Sequence, residues 1–440
     1  MMTFTCSNQD NVLYRFWKLA IINILSNLTV PLAGLISVAF LGHLDQIRHL
    51  AGVVIATILF NFIYKSLGFL RMGTTGVTAQ AVGRNDRDAM LLVGLRNGLI
   101  ALILGVLILS LHYPLRELGF ALLSATPDVK FSGIAYFNAR IWGAPATLLN
   151  FVLIGWFLGR EMSGKVLLLS IIGNTANIVC DYFTIIRWGW ESAGAGVSVA
   201  VSQYVIVVVG LVLVTREIQW QEVISVARRI WNLSEIIATF TLNSNLFIRT
   251  LAIIFTLSIF TNMSSALGTT ILAENALILE VFMLAVYFID GLAFATETLT
   301  GNLQGQGAKE QLIPLLKIVG GSSLLLGLNL AFLFILFPQT LFGLLTNHTE
   351  VIESITIYVP WLLLVLGFGS IAFMLDGYFL GLAAGQTLRN STVIALVVGF
   401  APMAVASWQF QSVHLLWLAL SLFMAGRAIV LGVNLPSTLK

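Results

Sequence analysis

Asp181 follows Asn177 and Asn174 at intervals of four and seven residues, which places one carboxyl and two carboxamides on a single helical face. Such a stripe can hold a proton or a small cation. Desolvation among apolar residues disfavours the charged form of a carboxylate, so the group suits the uptake and release of a proton. The same trio equally suits a structural hydrogen-bonded cluster that pins two helices together.

Few other ionisable residues interrupt the apolar stretches. A charge at bilayer depth costs roughly 2.5–3.5 kcal/mol on insertion scales, so such a group turns to a cavity or a partner. Lys65 and Arg71 lie on one stretch, Asp290 and Glu297 on another that is its equivalent in the second half of the chain. Their opposite signs make the four candidates for a gate closed by ion pairing; satisfaction of each within its own half is the alternative. Asp376 opens Asp376-Gly377-Tyr378 and stands where the first half has Ile154, which marks it as a substrate or ion residue outside the shared scaffold. Glu274 and Glu280 sit towards a span end, where a solvated carboxylate is cheap, and Arg140, Arg249 and Arg427 are expected near helix ends. Pro31 removes a backbone hydrogen bond within an apolar run that also holds Gly34, so the pair is a candidate hinge. No zinc motif, nucleophile triad or phosphate loop is present in the sequence, so neither enzyme chemistry nor a metal or other cofactor is expected.

What positions these residues is a membrane. The chain of 440 residues is 58% hydrophobic and only 10% charged, less than half the charge usual in soluble proteins. Apolar runs of roughly 20 residues or more, enough to cross hydrocarbon as helices, fall near 16–42, 50–78, 90–112, 132–158, 165–187, 193–215, 240–266, 272–302, 311–337, 354–381, 390–408 and 412–434. That is twelve spans, six per half, and an all-α membrane protein.

The halves repeat. Gly155-Trp156-Phe157-Leu158-Gly159 recurs as Gly377-Tyr378-Phe379-Leu380-Gly381 at an offset of 222, and Leu50, Ala51, Phe60, Leu70, Thr74, Thr78 and Gly83 recur at the same offset. Duplicated halves in a membrane chain point to a secondary transporter with its site at the repeat interface, and an even number of spans per repeat gives both halves one orientation. The repeated glycine run is expected to allow close helix packing. The expected division is a first lobe at 1–215, a linker at 216–238 and a second lobe at 239–440. Val223, Ile224, Ala227, Ile230 and Trp231 give that linker the spacing of a helix lying on the membrane surface.

With the N-terminus cytoplasmic, fourteen Lys and Arg fall in inside loops and termini, Lys440 included, against Arg48, Arg116, Lys130 and Arg187 outside. This positive-inside bias puts both termini in the cytoplasm and also accounts for the net charge of +3, so no nucleic-acid partner is implied. The first fourteen residues lack signal-peptide character, so the first span is expected to be retained. Cys6 and Cys180 form no disulfide or metal framework.

The run Pro31-Leu32-Ala33-Gly34-Leu35-Ile36-Ser37 through Leu44 resembles the first-helix signature of the multidrug and toxic compound extrusion (MATE) transporters, DinF branch. So do Leu70 to Gly76 with Thr78-Ala79-Gln80, Gly173-Asn174 through Asn177 and Asp181, Asp290-Gly291 with Glu297, and Leu375-Asp376-Gly377, in collinear order over about 16–430. The resemblance implies the MATE/MOP fold, two pseudo-symmetric six-helix lobes working by alternating access. It also implies export of small organic, often cationic, compounds in exchange for protons or sodium, from a monomer in the plasma (bacterial inner) membrane. DinF-like proteins carry an aspartate where this chain has Ser37, and that acid is held to act with the counterpart of Asp181. Ser37 does not titrate in the working range, so coupling falls to Asp181 alone, or moves towards Asp376, Asp290 and Glu297, or loosens. The NorM-like sodium site needs a seventh-span glutamate beside the tenth-span aspartate; 240–266 has no acid, so sodium is the lesser expectation. Export of organic anions or lipid-linked molecules, with Lys65 and Arg71 facing substrate, is the alternative within transport.

Overall fold

Hydrocarbon offers no partner to a backbone N–H or C=O, so a chain this apolar must satisfy its backbone inside helices. The structure is a computed structural model describing residues 8–123, 125–346 and 349–439, and among the described residues there is no strand. Cys6 and Lys440 lie outside them. Twelve helical spans are long and apolar enough to cross a bilayer, as the sequence predicts: Val12–Gly42, Arg48–Gly83, Arg87–Ser110, Pro127–Gly159, Ser163–Arg187, Glu191–Thr215, Leu233–Leu267, Thr269–Gln306, Lys309–Leu336, Trp361–Gly381, Gly385–Phe410 and Val413–Leu439.

The first helix, Asn8–Gly42, runs on through Pro31. The second span breaks at Leu67 and Gly68 into Arg48–Ser66 and Phe69–Gly83, whereas its repeat, the eighth, is one helix of 38 residues with Asp290 at the position of Gly68. The two halves therefore differ in backbone where they differ in charge.

Helix packing divides the chain into two compact units, Leu25–Phe240 and Met1–Ile24 with Thr241–Lys440. These borders differ from the division expected at 1–215, 216–238 and 239–440, which followed the repeat rather than the packing. The described residues before Leu25 group with the second half because a side chain on Gly291 would lie 2.4 Å from Ile24 Cγ1 and 2.8 Å from its backbone nitrogen. Only glycine lets that helix pass so close.

Inside each unit the repeated glycine run forms a seam. In Leu25–Phe240, a Cβ on Gly155 would sit 2.5 Å from the Arg71 carbonyl oxygen and one on Gly159 2.6 Å from that of Thr75. In the other unit, Gly377 meets the carbonyl oxygen of Ala293 at 2.5 Å and Gly381 that of Glu297 at 2.5 Å. Each contact in one unit is the other's displaced by 222 residues. The expectation of close helix packing from this motif holds in both units, where backbone meets backbone as small residues permit in membranes.

The stretch expected to be a linker with a helix on the membrane surface groups with Leu25–Phe240. Its helix Trp220–Ala227 and the 3₁₀ turn Arg228–Trp231 are fastened by charges. Arg87 Nε donates to Glu222 Oε2 at 3.0 Å, Arg229 Nη1 to Asp88 at 2.7 Å, and Glu217 pairs with Lys165 and, at 2.8 Å, with Arg160. Burial and the neighbouring Arg87 pull the Arg160 guanidinium down to about 10, which leaves it charged at neutral pH.

Candidate functional site

In Leu25–Phe240 the first and fifth spans are tied twice. Ser26 Oγ and Ser170 Oγ are 2.8 Å apart, and Ser37 Oγ donates to Asp181 Oδ2 at 2.5 Å. Both ties are separated by eleven residues along each helix, about three turns, so the two spans run side by side in register. Pro31 lies between the ties. A Cβ added to Gly34 would meet nothing within 4 Å, and Leu32 and Leu35 are exposed. The two residues singled out as a hinge thus occupy an unpacked stretch held at both ends.

Asp181 is wholly buried. The Ser37 hydroxyl also lies 3.5 Å from Asn177 Oδ1, while the Ser198 hydroxyl on the sixth span donates to the Gly194 carbonyl at 3.0 Å. Asp181 Oδ1, Asn177 Nδ2 and Asn174 Nδ2 are buried and make no hydrogen bond among the described residues. One carboxyl oxygen is thus held, while the other and the two amide groups keep hydrogen-bonding capacity to spare. Directly after Asp181 the helix widens into a π turn over Tyr182–Arg187, closed by Trp188 N donating to the Phe183 carbonyl at 2.8 Å. Such turns recur at functional sites because they free a local backbone group. Thr184, inside the turn, is braced by its hydroxyl, 2.9 Å from Ser198 Oγ and donating to the Cys180 carbonyl at 2.9 Å. Sequence reading placed Asn174, Asn177 and Asp181 together and brought in Ser37 by resemblance; it missed Ser26, Ser170 and Ser198, whose type is too common in membrane helices to stand out.

The other unit holds a different centre. Asp376 Oδ2 receives hydrogen bonds from Arg249 and Arg427, all three residues being buried. Arg427, wholly buried, lies over the faces of Phe373 and Phe423 with its guanidinium carbon 5.1 and 5.6 Å from their ring centres. Arg249 and Arg427, expected near helix ends, instead lie in the middle of Leu233–Leu267 and Val413–Leu439. Asp376, singled out as a substrate or ion residue, has Oδ2 paired with both guanidiniums, while its Oδ1 is buried and makes no hydrogen bond among the described residues. Glu297 in the same unit is wholly buried, with its carbonyl under Gly381, while Asp290 is half-buried and acts electrostatically on Arg427. Lys65, exposed, and Arg71, half-buried, belong to Leu25–Phe240.

Two further acids stand in settings of their own, and Glu274 departs from expectation. Glu274 is 4% exposed rather than solvated, because the helix Thr349–Ile355 brings Ser354 to it. Glu191 pairs with the buried His49, Nε2 to Oε2 at 3.2 Å, a contact no local spacing could reveal.

Twelve spans in two repeated units, with ionisable groups sequestered inside each, are the architecture of a membrane transporter. The MatE family profile matches residues 23–183 and 246–410, one match in each half. The chain belongs to the MatE family, the multidrug and toxic compound extrusion transporters, and is not an enzyme. It is 30% identical over 419 residues to DNA damage-inducible protein F of Escherichia coli strain K12, a match covering 94% of this chain and 90% of that one. It is 23% identical over 437 residues to the probable multidrug resistance protein NorM of Thermotoga maritima, covering 96% and 90%. Among solved structures, a MOP superfamily transporter from Pyrococcus furiosus, described as having a binding pocket of reverse polarity, superposes with a TM-score of 0.84 at 19% identity over 96% of this chain and 94% of that one. An outward-facing multidrug resistance MATE transporter matches equally, with a TM-score of 0.84 at 19% identity over the same shares, 96% and 94%. These likenesses establish the fold.

Proposed function

We propose that this transporter exports small organic cations by alternating access in exchange for protons, and that Asp181 is the group that takes up and releases the proton. The observation that carries the reading is the buried Asp181 carboxyl, held at one oxygen by Ser37 and without a hydrogen bond at the other, on the helical face that also carries Asn174 and Asn177. When Asp181 is ionised, the Ser37 hydroxyl stabilises it as a donor; when it is protonated, it can itself donate to the Ser37 oxygen. The switch between these states bears on the tie that holds the first helix beyond Pro31. Ser37 thereby stands in for a second acid without carrying a proton of its own.

Sodium coupling is the weaker reading. A sodium site of the NorM type needs a seventh-span acid beside Asp376, and 240–266 has none; Asp376 Oδ2 is moreover paired with Arg249 and Arg427. Export of organic anions is the alternative, with the exposed Lys65 and the half-buried Arg71 as its substrate-facing charges. Purified protein in liposomes distinguishes these: cationic-dye movement should follow an imposed pH gradient and ignore a sodium gradient, and Asp181→Asn should abolish it. Untouched proton-driven movement in Asp181→Asn overturns the carrier, sodium-driven movement the ion, and preferred movement of an anionic dye the substrate class.

The expected site of action is the bacterial inner membrane, as a monomer with both termini cytoplasmic. That topology rests on the fourteen-to-four distribution of Lys and Arg. A reporter fluorescent only in the cytoplasm, fused after Lys440, should light up; a dark fusion inverts the orientation.

A further inference from the structure

The connecting stretch encloses a cavity of about 230 Å³ against the helices Phe69–Gly83 and Arg87–Ser110, entirely within Leu25–Phe240. Its floor is apolar, built by Val77, Ala81 and Leu92, and its wall carries Arg84, Arg96 and Arg229 against Asp86 and Glu235. Three positive charges face two negative ones. Most of these are spent internally. Arg96, 7% exposed, donates to the carbonyls of Arg229 and Ile230 at 2.9 and 3.2 Å and to Glu235 at 3.1 Å. Arg229 reaches Asp88, and Asp86 accepts the Ala89 N–H at 2.9 Å as cap of its helix. Arg84 is exposed at the mouth and makes no ion pair or side-chain hydrogen bond among the described residues. Of the three guanidiniums in the wall, Arg84 is thus the one that no side-chain partner among the described residues engages.

The setting fixes the depth. Trp220, Trp231 and Leu233, on the segment that forms the cavity wall, are 70%, 72% and 69% exposed. Large aromatic and aliphatic side chains on the outside of a membrane protein belong at the headgroup boundary, where rings have one apolar and one wet side. A basic pocket between spans at that depth, with an apolar floor, matches a phosphate carried on a hydrocarbon-bearing molecule.

We propose that this cavity is a binding site for the headgroup of an anionic phospholipid, with Arg84 on the phosphate and Val77, Ala81 and Leu92 against the glycerol end. A bound lipid would bridge the second span, the third span and the connecting stretch, adding to the ion pairs that hold them.

The test uses the full-length protein in a mild detergent, with binding followed by native mass spectrometry and thermal unfolding. The probes are phosphatidylglycerol, phosphatidylcholine and inorganic phosphate at matched concentrations. Phosphatidylglycerol should bind and raise the melting temperature more than phosphatidylcholine. Arg84→Gln, a surface change that leaves the wall contacts of Arg96 and Arg229 in place, should weaken phosphatidylglycerol binding about fivefold, the value of one surface cation. Lys309→Gln, an exposed cation of the other unit, should leave it unchanged. Equal protection by the two lipids, or undiminished phosphatidylglycerol binding in Arg84→Gln, overturns the proposal. Equal protection by inorganic phosphate overturns the lipid in favour of a free anion.

Discussion

Asp181 and Asp376 are both buried aspartates in transporter spans, yet their surroundings assign them opposite work. Asp181 meets only neutral donors, so Asp181→Asn keeps the shape and the hydrogen bond to Ser37 while removing the titrating group. It should cut pH-gradient-driven dye export by roughly tenfold or more with little change in thermal stability, read from liposome flux and a melt. Ser37→Ala should cost about 1 kcal/mol from one lost hydrogen bond and slow export without ending proton coupling. Asp376→Ala should behave otherwise: it removes the carboxylate that the buried Arg249 and Arg427 share, a loss of about 3–5 kcal/mol visible as failed folding or a collapsed melt. A stable Asp376→Ala protein that merely loses transport would reassign Asp376 to the ion path. The difference between these two residues was half legible. Asn174, Asn177 and Asp181 share a face by spacing alone, whereas Asp376 meets Arg249 and Arg427 across 127 and 51 residues of sequence, where no periodicity operates.

At the scale of the helix, length and apolarity were enough to place all twelve spans, because hydrocarbon leaves the backbone no other choice. The break at Leu67 and Gly68 was not legible, since both sit in an apolar run like any other and the eighth span keeps its helix through the matching place. The hinge around Pro31 is testable at this scale. Gly34→Ala fits the open space beside the first helix and should raise stability by up to about 1 kcal/mol, while slowing transport if that stretch must bend. Unchanged transport removes Gly34 from the hinge. Gly377→Val, in contrast, drives a side chain into the Ala293 carbonyl and should destabilise the protein by about 1–3 kcal/mol or more, measured by thermal unfolding.

For the molecule as a whole, the repeat at offset 222 foretold two units but not their borders. The borders depend on contacts made far along the chain: Ile24 against Gly291, and Arg96 against the carbonyls of the connecting stretch. Arg96→Ala should loosen that stretch, so trypsin should cut after Arg228 and Arg229 several-fold faster than in the parent protein, by gel densitometry. An unchanged rate would mean that the pairs of Glu217 and Glu222 hold it alone. The glycine seams carry a consequence for how such a protein can diverge after duplication. Because Gly155, Gly159, Gly377 and Gly381 rest on the carbonyl oxygens of Arg71, Thr75, Ala293 and Glu297, the seam uses the main chain of those four residues, with the Thr78 and Thr300 Cβ atoms beside it, and does not use their four side chains. Arg71 in one copy could become Ala293 in the other, and Thr75 could become Glu297, with the helices still meeting at the same distance. Architecture inherited through the backbone left each copy free to acquire its own electrostatics.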